Sequence, residues 1–376
     1  MPWLSSDKCQ ASSVRETHFA NTGTMPAVIE EVPAKSLAAV QDEKSKVISV
    51  VSRDTPVPTS TQVLVKINYT GVCASDLHLA RRDLPYLQPT VSVGGHEGAG
   101  TIAALGPDAD TREWRVGDRV AVRWLHYVCK QCEACTTNHE NLCPNRKISG
   151  KDVEGCFGQY ALAESKYLVR LPDGVSDADA SPILCAGVTV YKALHIANLA
   201  KGSWVAIAGA GGGLGHLALQ YAKAMGLRPL ALDAGKRDVC LQMNADEYID
   251  VIEQPDCVPE VIRVTGGGAH GALICASAGR AYADAVKYLR RAGTLVCIGL
   301  PPKPSPIPVL PEDFIARGIK LMGTSTGTLQ DTAEALAFVA RREVKPRLLE
   351  MSLDEVPMAL DEVEKAKVEG RIVIKL

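Results

Sequence analysis

The chain has 376 residues, of which 46% are hydrophobic and 22% charged, and this composition excludes a disordered protein. Its 41 Lys and Arg residues nearly balance its 43 Asp and Glu residues, so no strong positive field exists to attract nucleic acid or an anionic membrane. No apolar run approaches the roughly 18 residues that a membrane-spanning helix needs. We therefore expect neither a nucleic-acid nor a membrane partner.

The N-terminal 24 residues do not resemble a targeting sequence. They lack the apolar core of a secretory signal, and they mix acidic with basic residues, which is untypical of a transit peptide. We predict a flexible extension over residues 1–24, with Met25 as a second candidate start. The expected location is the reducing cytoplasm, where clustered cysteines are more often metal ligands than disulfides.

Residues 27–182 have the pattern of short strands joined by frequent turns. The stretch VLVKINYTGV (63–72) alternates as a half-buried strand does, and GDRVAV (117–122) has the same pattern. Glycine and proline interrupt the region often, as in LPDG (171–174). This region is predicted to be rich in β-strands and loops.

After Pro182 the pattern changes to strands that alternate with helices. An apolar strand, a glycine-rich turn and an amphipathic helix are predicted within SWVAIAGAGGGLGHLALQYAKAMG (203–226). Further helices are predicted at 183–200, 281–293 and 331–344, and further strands at 227–233, 271–277, 293–301 and 371–376. This alternation predicts a parallel, doubly wound sheet. The Pro-rich stretch at 301–311 is interpreted as a rigid connector.

The glycine-rich turn indicates a dinucleotide site. Its glycines, which permit a sharp turn and close approach of the backbone to a pyrophosphate, are Gly209, Gly212, Gly213 and Gly215. The run GAGGGLG has one residue more than a strict G-x-G-x-x-G, so the glycines alone leave open a tight turn that binds nothing. Asp233, at the end of the next strand, can bind ribose hydroxyls and repel a 2′-phosphate. We predict NAD as cofactor; Lys236 and Arg237 leave NADP as an alternative.

Four cysteines lie within fifteen residues, in the spacing C-x2-C-x2-C-x7-C. They are Cys129, Cys132, Cys135 and Cys143. Four thiolates complete a closed tetrahedron around one zinc ion and leave no place for a substrate, so this cluster is predicted to be structural. An iron–sulfur cluster, which can also use Cys-x2-Cys-x2-Cys, and disulfides or free thiols are the alternatives.

A second, dispersed set of residues has the composition of a catalytic zinc site. Cys73, His96 and Cys185 supply one imidazole and two thiolates, and three ligands leave a fourth position open for water or an alcohol. Spacing alone does not distinguish this interpretation from a buried core cysteine and a hydrogen-bonded core histidine.

Several motifs in the same order resemble one protein family. GVCASDLH, VGGHEGAG, the four-cysteine segment, SPILCAGVTVYKAL and VAIAGAGGGLG are similar to the zinc-dependent alcohol dehydrogenases of the medium-chain dehydrogenase/reductase superfamily, and most similar to their tetrameric microbial branch. The resemblance implies a Rossmann-type sheet plus a β-rich, GroES-like catalytic domain. It implies a catalytic domain of residues 1–182 completed by 328–376, and a dinucleotide-binding domain of 183–327.

The resemblance also implies the roles of individual residues. Two zinc ions per chain are expected. Cys73, His96 and Cys185 would hold the catalytic ion, and the structural ion would be held by Cys129, Cys132, Cys135 and Cys143.

Five further roles follow from the same family. Ser75 would take the alcohol proton, and His78 would pass it to solvent through the cofactor ribose. Asp76 would orient His96, and Glu97 would modulate coordination of the catalytic zinc. Arg371 would contact the cofactor phosphates.

The chain departs from the family pattern near the expected substrate. Ala74 stands where a basic residue usually touches the pyrophosphate, and Leu84 where ethanol-oxidising members carry a tryptophan. Ser75 replaces the commoner threonine, whereas Trp124 is kept. These changes predict a roomier pocket and a substrate larger than ethanol.

The function predicted is therefore an NAD-dependent, two-zinc alcohol dehydrogenase that acts on a small-molecule alcohol or aldehyde larger than ethanol. A homo-oligomer is expected, with a tetramer favoured. The nearest alternative is a biosynthetic carbonyl reductase that prefers NADPH. A polyol dehydrogenase is disfavoured, because the substrate side of this chain shows no obvious set of extra polar residues to recognise a polyol. A non-catalytic cofactor-binding module is disfavoured by the intact catalytic ligand set, Cys73, His96 and Cys185.

Overall fold

A computed structural model describes residues 31–301 and 305–376. The predicted extension over 1–24, the second candidate start and residues 302–304 of the predicted connector lie outside the described residues.

The strands and helices are numbered in chain order. The strands are β1 (Lys35–Gln41), β2 (Ile48–Asp54), β3 (Gln62–Val72), β4 (Gly98–Leu105), β5 (Arg119–Val122), β6 (Leu125–Tyr127), β7 (Lys147–Ile148), β8 (Tyr160–Glu164), β9 (Val169–Arg170), β10 (Trp204–Ala208), β11 (Arg228–Asp233), β12 (Glu247–Asp250), β13 (Ala269–Ile274), β14 (Leu289–Cys297), β15 (Lys320–Gly323), β16 (Leu348–Ser352) and β17 (Arg371–Lys375). The helices are α1 (Ala74–Arg81), α2 (Glu133–Thr136), α3 (Asp177–Ala180), α4 (Ala186–Ala197), α5 (Gly215–Ala224), α6 (Arg237–Gln242), α7 (Val258–Thr265), α8 (Gly279–Tyr288), α9 (Pro311–Ile315), α10 (Leu329–Ala340) and α11 (Val356–Glu364).

A six-stranded parallel sheet forms one half of the molecule, in the order β12-β11-β10-β13-β14-β15. Its central strands are continuous apolar runs, as expected of strands covered on both faces. Buried residues of α4, α5 and α10 pack on one face, and buried residues of α7 and α8 on the other. The predicted doubly wound parallel sheet is confirmed, and its strand order reverses between β10 and β13, where such sheets bind ligands.

A seven-stranded sheet forms the other half, in the order β16-β17-β3-β4-β5-β9, with β8 also paired to β3. All of its pairs are antiparallel except β16 with β17. The last strand of the chain lies beside β3, with Ile372 opposite Val72. The chain therefore returns to this sheet after it has completed the parallel one.

Three predicted helices have different boundaries in the structure. The helix predicted at 331–344 begins at Leu329 and ends at Ala340. The helix predicted at 183–200 is divided at Cys185, whose dihedral angles (φ −127°, ψ −69°) are not helical, into a short 3₁₀ turn and α4. The helix predicted at 281–293 ends at Tyr288, because Leu289 already pairs with Ala269 of the parallel sheet.

Among the described residues, no single helix has the length and apolar character needed to cross a membrane. One bent pair, Asp177–Leu184 with Ala186–Ala197, meets the criteria by length and composition only, with a bend of 53°.

Candidate active site

The first potential metal ligand lies where β3 ends and α1 begins. Cys73 is the N-cap of α1, and Asp76 in the first turn accepts a hydrogen bond from the Cys73 backbone N–H through Oδ2 at 2.9 Å. A carboxylate at this position also suits the positive end of the helix dipole. The capping interaction thus fixes where the Cys73 side chain leaves the backbone.

The same carboxylate orients a buried histidine. His96 precedes β4, and its Nδ1 lies 2.8 Å from Asp76 Oδ1. Because a carboxylate accepts, Nδ1 carries a proton, and Nε2 is the nitrogen that can offer its lone pair to a metal ion. Within the described residues, His96 Nε2 is buried and has no hydrogen-bond partner. A buried ring nitrogen without a partner, on an imidazole whose other nitrogen is held by a carboxylate, is typical of a metal-ligating histidine.

Cys185, at the non-helical position before α4, completes the group. Its Sγ lies 3.9 Å from Cys73 Sγ, although the two residues are 112 positions apart in the sequence. Together with His96 and Glu97, they place four ligand atoms within 4.8 Å of one another. Two sulfurs bound to one tetrahedral zinc ion would be separated by about 3.8 Å, whereas a disulfide requires about 2.05 Å. The spacing fits a metal ion.

The two thiols are electrostatically distinct. The pKa of Cys73 lies well below its usual value, because its sulfur accepts a hydrogen bond from Cys185 and lies near the positive charge of Arg371. Donation of that hydrogen bond raises the pKa of Cys185. One sulfur of the pair is therefore already suited to the thiolate form that binds metal.

Glu97 and Arg371 form a buried ion pair beside this group. Arg371 donates from Nη2 to Glu97 Oε1, and neither side chain is appreciably exposed. Burial raises the pKa of Glu97 to about 7, and the charge of Arg371 opposes that rise. Glu97 Oε2 has no partner among the described residues. A Cβ on Gly71 would overlap that oxygen, so the pair requires glycine there.

The four clustered cysteines form a second potential metal site. The ligand atoms of Cys129, Cys132, Cys135 and Cys143 also lie within 4.8 Å of one another. The four are free cysteines, with sulfur separations of 4.0 Å for Cys129–Cys135 and 3.6 Å for Cys143–Cys129. Backbone hydrogen bonds from Gln131 and Cys132 lower the pKa of Cys129 to about 6. This geometry also fits a tetrahedral ion.

A buried glutamate attaches the four-cysteine segment to the rest of the molecule. Glu140 Oε1 accepts from Tyr167 Oη at 2.5 Å and from the backbone N–H of Leu329 at 3.1 Å. Its Oε2 accepts from Lys130 Nζ at 2.9 Å. The segment is thereby linked to the first turn of α10.

The two residues expected to move the proton lie on α1. Ser75 is half-buried in the first turn, next to Cys73, and His78 lies one turn further on. His78 Nδ1 contacts both oxygens of Asp83, at 2.9 and 3.1 Å. The sequence analysis did not single out Asp83, because no motif marks an acid just beyond the end of the helix.

The glycine-rich turn follows β10 at the reversal of strand order. Gly209 has φ +77°, and a Cβ on Gly215 would overlap the Gly209 carbonyl oxygen, so both positions require glycine. A Cβ on Gly213 would come within 3.1 Å of Arg371 Cδ, which lies over the turn. Arg371 Nε is buried and, in the described part of the chain, unpartnered. Gly212, by contrast, has open space beside it, with only one atom, 3.5 Å away, near a Cβ placed there.

Asp233 connects this turn to the next strand. Its Oδ2 accepts from the Gly211 N–H at 2.6 Å, and its Oδ1 accepts from the Ala234 N–H at 2.7 Å. A cavity of about 260 Å³ lies alongside, lined by Gly209, Asp233 and mainly apolar groups. An open turn, an unpaired arginine N–H and an apolar cavity with a carboxylate at its wall fit a dinucleotide.

The two expected pocket residues differ in their relation to the metal-binding group. Trp124 packs edge-on against the His96 ring, with the ring centres 4.7 Å apart. Leu84 is half-buried in the turn after α1, where its carbonyl accepts from the Gln88 side chain at 2.7 Å. Trp124 therefore borders the ligand atoms, whereas the hydrogen bond of Leu84 is local to the loop that follows α1.

Comparison with known proteins identifies the class. Residues 59–173 match the alcohol dehydrogenase GroES-like domain, and residues 213–341 match the zinc-binding dehydrogenase domain. Alcohol dehydrogenase 2 of Emericella nidulans is 35% identical over 362 residues, covering 92% of this chain and 99% of that protein. An alcohol dehydrogenase of Geobacillus stearothermophilus is 39% identical over 341 residues, covering 90% and 98%.

Solved structures agree. Acetophenone reductase from Geotrichum candidum in complex with NAD superposes with a TM-score of 0.80 at 28% identity, covering 92% of this chain and 99% of that one. A cinnamyl alcohol dehydrogenase from Sorghum bicolor gives a TM-score of 0.81 at 26% identity, covering 91% and 97%.

The fold and these relatives define an oxidoreductase that acts on CH–OH groups, with zinc and a nicotinamide cofactor. More narrowly, the chain belongs to the zinc-type alcohol dehydrogenases of the medium-chain dehydrogenase/reductase family. The resemblance to this family and the fold class predicted from the sequence are confirmed, and the tetrameric microbial branch stays a prediction.

Proposed function

We propose that this alcohol dehydrogenase interconverts an alcohol larger than ethanol and its aldehyde or ketone by hydride transfer with NAD(H). The observation that carries the proposal is the convergence of Cys73, His96 and Cys185 beside Trp124. Glu97, the fourth potential ligand, accepts from Arg371 through Oε1. If Cys73, His96 and Cys185 are the three ligands, a tetrahedral ion keeps one position for a substrate oxygen.

The geometry supports the following roles at the catalytic metal. A zinc ion held there would act as a Lewis acid that favours the deprotonated alcohol and polarises a carbonyl. Cys73, Cys185 and His96 Nε2 are the groups that would hold it. Asp76 keeps the His96 ring in the required tautomer through its contact with Nδ1. Glu97 lies next to these ligands and would adjust the coordination.

Proton movement is assigned to α1. Ser75 follows the first metal ligand by two residues and would accept the alcohol proton. His78 would carry that proton towards solvent through the cofactor ribose, since its ring is only partly buried. Asp83 accepts from Nδ1 and so leaves Nε2 as the proton acceptor.

The phosphates of the cofactor are assigned to the glycine-rich turn and Arg371. Gly209, Gly212, Gly213 and Gly215 supply the turn. Backbone N–H groups at the start of α5 favour anions, and the positive end of the helix adds to that preference. Arg371 has five N–H donors, of which Nε is unpartnered among the described residues, and its side chain lies over Gly213.

NAD rather than NADP is supported by the surroundings of Asp233. Its carboxylate faces the turn and would repel a 2′-phosphate. Of the two nearby cations, Lys236 Nζ faces the carbonyls of Ala366 and Val368, and Arg237 stacks on the Tyr248 ring. Both cationic groups therefore already have partners, and it is the stem of Lys236, not its Nζ, that passes beside Gly211 of the turn.

The four-cysteine group is assigned a structural zinc ion, which gives two ions per chain. Four sulfurs at tetrahedral separations leave no position for a substrate. Free rather than paired thiols there suit a reducing compartment, which supports a cytoplasmic location.

The domain organisation proposed is a catalytic domain of residues 1–182 and 328–376, with a cofactor domain of 183–327. Pairing of β17 with β3 supports a catalytic domain formed from two chain segments. Homo-oligomerisation, with a tetramer favoured, is supported by exposed apolar residues near the edge strand β15, among them Phe314 and Ile315.

A substrate panel tests the proposal. Purified protein is assayed with ethanol, longer primary alcohols, an aromatic alcohol and a polyol, each with NAD and with NADP. We expect the highest kcat/KM with a substrate larger than ethanol, because Leu84 and Ser75 are smaller than the residues usual in ethanol-oxidising relatives. We expect NAD to be preferred over NADP because of Asp233.

Two outcomes of that panel would contradict the proposal. Activity greatest on ethanol would refute the argument from Leu84 and Ser75. A strong preference for NADPH in the reductive direction would refute the role of Asp233 and favour a biosynthetic carbonyl reductase.

A further inference from the structure

The mechanism leaves unused a fully buried histidine next to the glycine-rich turn. His216 lies in the first turn of α5 and has 0% exposed surface. It follows Gly215 directly, and its Nδ1 lies 3.0 Å from the carbonyl oxygen of Gly212 within the turn. A fully buried polar ring in a mostly apolar helix requires an explanation.

The hydrogen bonds of His216 define its protonation. The backbone N–H of Arg347 donates to Nε2 at 3.3 Å, so Nε2 is an acceptor and Nδ1 is the donor to Gly212. Burial lowers the pKa of His216 to about 4, which agrees with a neutral ring. The imidazole thus bridges two backbone groups that are 135 positions apart in the sequence: the carbonyl of Gly212 and the N–H of Arg347.

Gln220, one turn further along α5, makes a second bridge to the same segment. Its Oε1 accepts from the Lys345 N–H at 2.8 Å, and its Nε2 donates to the Lys345 carbonyl at 3.1 Å. The amide therefore pairs with this backbone in both directions, and Nε2 also donates to the His216 carbonyl. Side chains from two successive turns of α5 are therefore hydrogen-bonded to the backbone of residues 345–347.

Residues 345–347 lead directly to the arginine of the cofactor site. The Arg347 carbonyl accepts from the Arg371 N–H at 2.9 Å, and β16 and β17 continue this pairing. The Arg371 side chain then returns over Gly213 and reaches Glu97. The contacts form a closed circuit from the glycine-rich turn through His216 and Arg347 to Arg371, and back to the turn.

We propose that His216, assisted by Gln220, is a positioning residue that holds the glycine-rich turn and Arg371 at the separation required to bind the cofactor pyrophosphate from both sides. The inference rests on the proposed cofactor site. It adds that the two halves of the phosphate site, from different sheets, form one preorganised unit. Preorganisation lowers the ordering cost of binding, so its loss weakens affinity without removing any cofactor contact.

A double-mutant cycle on cofactor affinity tests the proposal. The dissociation constant of NADH is measured by its fluorescence for the wild type, His216→Leu, Arg371→Ala and the double variant. We expect His216→Leu alone to raise Kd about tenfold. In the Arg371→Ala background the same change should raise Kd less than about twofold, because Arg371 is no longer there to be positioned.

A matched control separates positioning from general destabilisation. Leu219→Ala removes a fully buried apolar side chain from the same helix and leaves both bridges intact. It should lower Tm but keep Kd for NADH within about twofold of the wild type. Equal weakening of NADH binding by Leu219→Ala and His216→Leu would overturn the proposal.

Milder variants keep the test decisive if His216→Leu does not fold. His216→Gln retains an acceptor near the position of Nε2, and His216→Asn retains a donor near Nδ1. Gln220→Met keeps the volume and removes the second bridge. We expect each to raise Kd for NADH by a smaller factor than His216→Leu, and wild-type affinity in all three would overturn the proposal.

Failure of this inference is distinguishable from failure of the proposed function. If the wild type binds no NADH, the cofactor site is wrong, and the inference fails with it. If the wild type binds NADH and the effects of His216→Leu and Arg371→Ala are fully additive, the cofactor site stands and the circuit is refuted.

Discussion

Gly71 leaves room for the buried carboxylate of Glu97 beside the metal-binding group. It lies in β3, where a Cβ would overlap Glu97 Oε2. Gly71→Ala should therefore displace Glu97 from Arg371 and cost about 1–3 kcal/mol of stability. Chemical denaturation measures that loss, and NADH affinity reports on Arg371.

Gly323→Ala is the matched control, because a Cβ there meets nothing closer than 3.6 Å. It should leave both quantities near their wild-type values. A Gly71→Ala protein as stable as Gly323→Ala, with unchanged NADH binding, would contradict the packing argument.

The proton path makes a separate prediction at His78. If its Nε2 carries the proton, His78→Gln should lower kcat by about tenfold or more at neutral pH, with little change in Kd for NADH. Imidazole added to the assay should restore part of the loss. His195→Gln is the control, since His195 is exposed and its ring stacks on that of Tyr191. A loss of the same size in both variants would exclude a relay.

At these sites the metal ligands could be predicted from the sequence, but the residues that support them could not. Cysteine and histidine are typical metal ligands, and both lie in recognisable motifs here. Cys73 and His96 could therefore be identified as candidate ligands from the sequence. Gly71 and Asp83 could not, because a glycine in a strand and an acid after a helix are ordinary. Their significance depends on atoms brought near by the fold, such as Glu97 Oε2.

Helix α5 makes stability depend on pH through His216. Its folded-state pKa of about 4 lies below the unfolded value of 6.5, so the unfolded chain takes up the proton first as the pH falls. The free energy of unfolding therefore contains its full contribution from neutral His216 above pH 6.5, and this contribution is lost progressively as the pH falls towards 4. Between pH 6.5 and about pH 5, His216 should account for roughly 2 kcal/mol.

Urea unfolding of the wild type and His216→Gln at about pH 7.5 and about pH 5 measures this contribution. Glutamine does not titrate, so the variant should lose roughly 2 kcal/mol less on acidification. Both proteins keep the same metal ligands, and acid release of metal therefore cancels. An identical pH dependence would show that His216 is not buried as a neutral ring.

The four-cysteine segment should contribute stability rather than chemistry. Cys135→Ser is expected to remove about one zinc ion per chain and to lower Tm. Because Glu140 joins the segment to α10, the loss should extend to that helix and be visible as faster amide exchange at 329–332. The kcat per remaining zinc ion should stay within about twofold of the wild type. Normal metal content in Cys135→Ser would contradict the assignment.

Prediction of elements from sequence fails where tertiary contacts decide the boundary. Strand β10 and helix α5 follow from apolar runs and a glycine turn. The division of the predicted 183–200 helix at Cys185 does not, since Cys185 has an ordinary helical neighbourhood in sequence. The break turns its sulfur towards Cys73, and only the three-dimensional site accounts for it.

At the scale of the molecule, the two sheets meet at the groups that the chemistry would use. Cys73 follows β3 of one sheet, and the glycine-rich turn follows β10 of the other. The alternation of strands and helices predicted the parallel sheet, and the family resemblance predicted its β-rich neighbour. Neither predicted the circuit through His216 and Arg347. His216 bonds to the backbone N–H of Arg347, and every residue except proline has such a group, so the identity of residue 347 does not reveal the contact.

The central claim is that Cys73, His96 and Cys185 hold a zinc ion that the oxidation of alcohol requires. Metal content and turnover, measured on the same preparations of Cys185→Ser and the wild type, test this claim most directly. The account predicts about two zinc ions per wild-type chain and about one in the variant, with alcohol-dependent reduction of NAD falling to background. A Cys185→Ser protein that keeps both the zinc content and the turnover of the wild type would contradict it.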